Sequence, residues 1–442
     1  MARLRLPAFL MAAAVLLAPP ASRAADLTSV LSSADPGDPF DGQLTIRYDW
    51  LQRQSRISRE FVCTPGLPGC PAYPKTVTRA ELASLRVEHT MTIGARIGLY
   101  HDLELFASIP LVLSDRTNLD YAPGVDGSNS TVDPDFGPSL FEARQDGRKR
   151  SGLGDMTVGL RWAPACQWRA PHQPTVLLGV AYTAPTGSIR RAANSAVGEG
   201  IHTIRLDVAA SRRISFAEPY LGVNGSVRLA NTGGTTLFRN YDDATQSRSN
   251  PGAILGMAAG TEFFPWLKSR KDGRPERFVS IDVGLSGSYT FAGREQTDLF
   301  EALGTSACAG DPLCTGARGN KNLLAYDRTQ DGKSHAMAYT DGVTDVSAYG
   351  TVGTWLGVTA QPIPWVSLSL RFTYTRETSH FLTYANTGIN SDAGNNTIEL
   401  SNDSGKNEFN PVYDSDIDDP GTRFRSDGAN LFGVMLTLSG KL

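Results

Sequence analysis

The sequence predicts an all-β fold: a closed antiparallel transmembrane β-barrel of about twelve strands with long extracellular loops. Three observations carry this. Long segments alternate apolar and polar residues with a period of two, which puts the two sets on opposite faces of a strand. The connections between these segments alternate between shorter and longer. The final segment alternates too, so a last strand is available to pair with the first and close the sheet.

Composition agrees. The chain has 442 residues, 44 of them glycine, with 40% hydrophobic residues and a net charge of -3. The mean hydropathy of -0.22 resembles that of a soluble protein, and no internal stretch reads as a membrane helix. A barrel evades that test because lipid-facing and lumen-facing residues average out. The near-neutral charge gives no basis for a nucleic-acid partner.

The chain opens with Arg3 and Arg5, an apolar run from Leu6 to Ala18, and the small residues Ala21, Ser22, Ala24 and Ala25. This pattern predicts a secretory signal peptide over 1–24, cleaved after Ala24. Residues 25–41 are rich in Pro, Gly and Asp and are expected to form a short periplasmic N-terminal segment, free or tucked into the lumen. The barrel is expected over 42–442. Export places the chain in an oxidising compartment of a Gram-negative bacterium.

Strands are predicted over 42–58, 82–98, 103–114, 153–163, 174–184, 201–213, 217–229, 252–264, 277–291, 345–360, 365–378 and 428–442. The second shows the pattern clearly: Leu85, Val87, His89, Met91, Ile93, Ala95 and Ile97 alternate with Arg86, Glu88, Thr90, Thr92, Gly94, Arg96 and Gly98. Leu103, Leu105, Ala107, Ile109, Leu111 and Leu113 follow after a short turn, so these two strands form a hairpin. Val279, Ile281, Val283 and Leu285 share a face, as do Val366, Leu368, Leu370 and Phe372. Phe432, Val434, Leu436, Leu438 and Leu442 mark the closing strand. That strand resembles the C-terminal signal read by the barrel-assembly machinery, an expected partner, although it ends in Leu442 rather than an aromatic residue.

The longer connections are expected at 59–81, 115–152, 185–200, 230–251, 292–344 and 379–427. They would be the extracellular loops, and an even strand count returns both termini to the periplasm. Tyr48, Trp50, Trp162, Phe263, Trp266, Tyr289, Phe291, Trp365 and Tyr374 lie near strand ends, where amphipathic rings favour a lipid–water interface. Aromatic residues in the core of a soluble β-protein are the alternative reading. Outer-membrane lipid and lipopolysaccharide are therefore expected partners. Cys63 with Cys70, and Cys308 with Cys314, bracket turn-rich segments and are expected to be loop-closing disulfides. Zinc is the competing reading, but neither pair has a nearby His. Cys166 is left over.

Two local motifs point to a family. Gly152–Leu153–Gly154–Asp155 opens a strand that continues MTVGLRW, and AYTAPTGS at 181–188 ends a strand in Pro185–Thr186–Gly187. Both resemble the outer-membrane family named for the MetA pathway of phenol degradation. That resemblance implies a barrel that transports small organic compounds; the long Cys-bearing loops depart from the family's outline. By the residues alone, these Gly and Pro mark barrel rims and turns.

Parity assigns Arg47, Arg86, Glu88, Arg96, Arg161, Arg205, Asp207 and Arg371 to the lumen, with Asp49, Glu104, Arg228, Glu262 and Asp282 on the same face. An Arg or Lys facing lipid near the midplane would cost about 2–4 kcal/mol. Facing inward, these charges either brace the wall as a salt-bridged network or line a solute path. A passive channel for an unidentified small-molecule solute, hydrophobic compounds included, is the leading reading. A non-conducting surface protein whose loops bind a ligand is the second. An outer-membrane hydrolase is the third: Ser379 and His380 are sequence neighbours, which face opposite ways on a strand, and no catalytic motif is visible. No cofactor or metal site is expected. The acidic stretches 327–332 and 414–419 lack the spacing of a calcium loop and read as solvated surface.

Overall fold

Twelve long strands, each antiparallel to its neighbours, make one sheet that closes on itself. In chain order they are β1 (Gly42–Cys63), β2 (Lys75–Tyr100), β3 (Leu103–Tyr121), β4 (Met156–Ala165), β5 (Thr175–Ala184), β6 (Ile201–Ser211), β7 (Ala217–Ala230), β8 (Ile254–Ser269), β9 (Pro275–Thr290), β10 (Tyr349–Ile363), β11 (Val366–Glu377) and β12 (Phe424–Lys441). Neighbours in sequence are neighbours in the wall, and β12 returns to pair with β1, Thr45 opposite Ser439 and Trp50 opposite Val434. The computed structural model describes residues 27–33, 40–63, 73–137, 139–192, 194–231, 248–269, 275–305, 342–391, 397–399, 408–410 and 412–441.

Alternation turns into two surfaces. On β6, Ile204, Leu206 and Val208 face outward and are exposed, while Arg205 and Asp207 between them face the lumen. The same holds for Ile93 and Ile97 on β2, Leu105 and Ile109 on β3, and Leu368, Leu370 and Phe372 on β11. A belt of exposed aliphatic side chains around a closed sheet is stable only in hydrocarbon. Closure leaves no edge with unsatisfied backbone groups. Aromatic residues rim the belt: Tyr100, Trp162, Phe216, Trp266 and Trp365 at the end with the short turns, and Tyr48, Tyr182, Tyr289, Phe291, Tyr374 and Phe432 at the other. Two of the latter satisfy their hydroxyls on outward-facing histidines, Tyr48 with His89 Nδ1 at 2.7 Å and Tyr182 with His202 Nδ1 at 2.6 Å. The protein is a bacterial outer-membrane β-barrel.

The structure departs from the expected strand limits in one consistent way. β1, β2 and β3 run well past the lipid belt, with Cys63 still paired to Lys75 and Leu82 to Tyr121. Of the expected loop 59–81, residues 59–63 and 75–81 are therefore strand. Above the lipid the outward face meets water instead of hydrocarbon while the inward face packs on loop residues, so the outward apolar set fades while the backbone ladder continues. The expected strand 153–163 is broken instead: Gly154 and Asp155 lie outside any strand, and Gly152 has φ of 146°. The wall stays joined there because Gly154 N–H donates to Pro110 O at 2.9 Å. Residues 347–348 and 252–253, expected in strands, precede β10 and β8, and Asp345 and Val346 belong to a separate short strand, Thr344–Val346, paired with Gly293–Glu295.

Cys63 ends β1 and is buried; Cys70, Cys308, Cys314, residues 1–24 and the acidic stretch 327–332 lie outside the described residues. Cys166 is buried in the turn after β4 and carries a thiol. The stretch 414–419 is not wholly solvated surface: Ser415–Asp418 is a short helix with Ile417 and Asp418 buried.

Candidate functional site

The lumen divides into a filled wall and an open one. On the filled side, glycines alternate with buried acids on β8 and β9: Gly260 beside Glu262, Gly284 beside Asp282. The bare backbone makes a shelf for two stacked aromatic rings, Tyr220 and Trp355, whose centroids are 6.5 Å apart. A Cβ on Gly284 would lie 2.0 Å from the Trp355 ring. Asp282 gathers their polar ends, accepting from Tyr220 Oη at 2.7 Å, Trp355 Nε1 at 2.8 Å and Arg371 Nη2 at 2.7 Å. Three donors on one carboxylate compensate its burial.

The open side holds a cavity of about 500 Å³, lined by β1 to β7 and β12. Of the residues assigned by parity, Arg47, Glu88, Arg96, Arg161, Arg205 and Asp207 line it. Arg86 lies beyond it, donating to Glu88 Oε2 and Asp115 Oδ1 at 2.8 Å each. Arg371 belongs to the filled wall, at Asp282. Arg47 Nε donates to Asp49 Oδ2 at 2.7 Å, and Arg205 Nε to Asp207 Oδ1 at 2.8 Å. These pairs are two residues apart because that spacing puts both side chains on one face of a strand. Arg161 lies over the Phe106 ring at 4.8 Å. Phe106, Pro110, Val112, Ala181 and Val197 supply an apolar patch in the same cavity.

Two segments that are not part of the wall enter the barrel. From the end with the short turns comes part of the expected N-terminal segment. Leu31 N–H donates to Glu104 Oε2 at 2.9 Å, Arg96 Nη2 to Ser29 O at 2.8 Å, and Ser33 Oγ to Gly98 O at 2.6 Å. Thr28 Oγ1 meets Ser211 Oγ at 2.6 Å, and Leu27 packs on the bare backbone of Gly222. Glu104 thus serves both Arg96, at 2.6 Å, and the entering segment.

From the opposite end comes the stretch after β9, with a short helix at Phe300–Thr305. Its Asp298 takes both carboxylate oxygens to Arg53 Nη1 and accepts from Ser55 Oγ. Glu301 meets Arg150, and Glu295 accepts from Arg228 Nη1 at 2.9 Å. Leu299, Ala302 and Leu303 join Ile57, Leu82, Leu119 and Phe424 from the strand ends and Val132, Leu140, Phe141, Leu382 and Ile417 from the loops in one buried cluster. Burial pushes the Asp298 carboxyl up, but Arg53, the Ser55 hydroxyl and Arg86 outweigh it and hold it below the usual carboxylate value. Asp418, in the cover over this cluster, behaves oppositely. Burial raises it to about 8 despite the backbone N–H groups of Asp414 and Ala385.

Parity reasoning missed Arg53, although it continues the Arg47, Asp49 face of β1. It also missed Asp298 and Glu301, which carry no strand pattern, and Tyr220 and Trp355, whose role depends on glycines across the sheet. Ser379 and His380 diverge as neighbours on a strand do: His380 is buried against Tyr349, with ring centroids 4.3 Å apart, while Ser379 Oγ accepts from Arg425 Nη2 on the exposed side. Among the described residues no group of three His, Cys, Asp or Glu is placed to hold a metal ion.

No family model matches the chain, and no curated protein matches it. The resemblance to the MetA-pathway family rests on its motif residues alone. Among solved structures, an outer membrane channel from Pseudomonas putida F1 is similar at 11% identity and a TM-score of 0.40, covering 93% of this chain and 100% of that one. A Pseudomonas aeruginosa FadL homologue is similar at 11% identity and a TM-score of 0.28, over 91% of this chain and 90% of that one. The outer membrane protease OmpT from Escherichia coli is similar at 9% identity and a TM-score of 0.31, over 94% of this chain and 100% of that one.

Proposed function

We propose that the protein is a passive channel for small molecules that combine an apolar body with a polar group. The observation that carries this reading is the 500 Å³ cavity between the two entering segments, with arginines and acids on one part of its lining and Phe106, Pro110, Val112 and Val197 on another. A barrel of this strand number could fill its interior with side chains; here much of one side is left open. The wall would set the size and charge limits, and the N-terminal and Asp298-bearing segments would narrow the route at rest. The family resemblance, with its small organic compounds, supports the same solute class. Secretion by a cleaved signal peptide and disulfides at Cys63–Cys70 and Cys308–Cys314 belong to this reading.

Planar-bilayer recording of the refolded protein tests it. Small, infrequent conductance steps are expected from the intact chain, and larger, more frequent ones once residues 25–41 are removed. Silence from the truncated, folded barrel would exclude a transmembrane route. Loop-dependent ligand binding by such a silent barrel would instead favour a surface-binding role.

A further inference from the structure

Most arginines of the lumen are ion-paired to a carboxylate: Arg47, Arg53, Arg86, Arg96, Arg150, Arg205, Arg228 and Arg371 each have at least one. Three arginines on the outside are different. They surround the irregularity where β12 pairs with β1, between Ser55 and Ile57. Arg56 occupies that gap on β1 and is exposed. Arg376 on β11 is exposed and reaches over the bulge, its Nη2 3.0 Å from where a Cβ on Gly428 would sit. Gly428 has φ of 98°, so the chain can make this bulge without side-chain strain. Arg425 lies three residues away on β12, paired in register with Ser58.

Arg376 Nη1 donates to Asn430 Oδ1 at 3.0 Å and its Nη2 to Asp427 O at 3.4 Å; Arg425 Nη2 donates to Ser379 Oγ at 2.8 Å. These acceptors are neutral. The nearby acid, Asp427, is turned to the Ser58 hydroxyl at 2.5 Å. Among the described residues, the three thus have no carboxylate to offset their positive charge. Their height is fixed by the strands. Arg376 is two residues above Tyr374 and Arg56 six above Trp50 on the outward face of the barrel. Tyr374 and Phe432, 5.2 Å apart, belong to the outer aromatic rim, and Tyr374 Oη shares Asn430 Oδ1 with Arg376 at 2.9 Å.

Cations just beyond an interfacial aromatic rim, facing away from the barrel, meet the headgroup layer of the outer leaflet. Guanidinium groups there favour phosphate, which they can bind through two hydrogen bonds each. We propose that Arg56, Arg376 and Arg425 form a binding site for the phosphorylated headgroup of an outer-leaflet glycolipid, with its acyl chains lying on the Tyr374 and Phe432 side of the wall.

Native mass spectrometry of the detergent-refolded protein, titrated with bisphosphorylated lipid A, dephosphorylated lipid A or inorganic phosphate, tests this. The intact protein should retain the bisphosphorylated lipid. R56Q, which breaks no contact seen in the fold, should weaken retention roughly fivefold, and R56Q/R376Q/R425Q about 100-fold. The dephosphorylated lipid should bind the intact protein as weakly as the triple variant binds the phosphorylated one. Retention unchanged in R56Q, equal retention of the two lipids, or displacement of the lipid by millimolar inorganic phosphate would each overturn the assignment. Heat-modifiability on gels verifies that the triple variant is folded; if it is not, R56Q alone decides.

Discussion

Replacing Asp298 with Ala should loosen the segment after β9 from the wall. In the native barrel Asp298 is tied to Arg53 and Ser55, with the two charged side chains 6% and 16% exposed. Removing one member of such a pair costs roughly 3–5 kcal/mol when the other ion is stranded. Arg53 is not stranded, because Glu377 Oε1 still accepts from its Nη2 at 2.8 Å. The loss is then that of charged hydrogen bonds, about 1.5–3 kcal/mol. Since 1.36 kcal/mol is a factor of ten, the release equilibrium should shift roughly 10- to 100-fold. Single-channel recording at neutral pH should show open probability rising by that factor, with unitary conductance of the open level unchanged. The sign with pH follows from the depressed carboxyl. The tie is fully present above the ordinary carboxylate pKa, about 3.9, and is lost as pH falls through the lower value it has in the fold. The intact protein should therefore open on acidification in the range below about pH 4, and the variant should not respond. If Asp298→Ala folds but gates like the intact chain, then Asp298 does not hold the segment in place.

Four further outcomes are expected. Asp418, raised to about 8, binds a proton more readily in the fold than in the open loop, so the cover it belongs to should loosen as pH rises from about 4 to 8. Hydrogen-exchange protection at Ala385 and Asp414, relative to the intrinsic base-catalysed rate at each pH, should fall over that range in the native chain and stay flat in Asp418→Asn. Gly284→Ala sets a methyl against the Trp355 ring and should destabilise the barrel by about 1–3 kcal/mol in urea unfolding, whereas Gly225→Ala, with open space there, should cost less. Glu104→Ala removes the acceptor of Leu31 N–H and the partner of Arg96, so periplasm-side protease should cut within 27–33 faster, with the barrel core intact. Mass spectrometry under non-reducing conditions should find Cys63 linked to Cys70, and loss of that peptide pair on reduction.

Much of the wall was legible because each lipid-facing position repeats the same demand. Ile204, Leu206 and Val208 can only be outside, so Arg205 and Asp207 can only be inside. That logic ends where the lipid ends. The upper parts of β1 to β3 have no hydrocarbon on their outward face, and residues such as Arg59 and Thr76 leave no two-residue signature of strand. The inward segments were illegible for a different reason. Phe300–Thr305 is too short for a helical period to show, and its placement depends on single partners, Asp298 on Arg53 and Glu301 on Arg150, far apart in the chain. The filled wall was hidden because its cause is an absence: glycines 260 and 284 matter for the rings that lie over them. The alternative that aromatic residues form a soluble core does not fit Trp162, Trp266 and Trp365, which are exposed outside the barrel.

The seam between β1 and β12 joins residues 394 positions apart, as in the contact of Thr45 with Ser439. Pairings of that separation are the slowest and entropically the dearest to make, because nearly the whole polypeptide must be gathered before they can form. Until then two bare flanks stand open, each able to template a neighbouring copy. Damage that removes the final strand should therefore not yield a leaky, partly working wall. It should yield protein that stalls before insertion and is cleared by periplasmic proteases, so that lesions late in the gene behave like its complete loss.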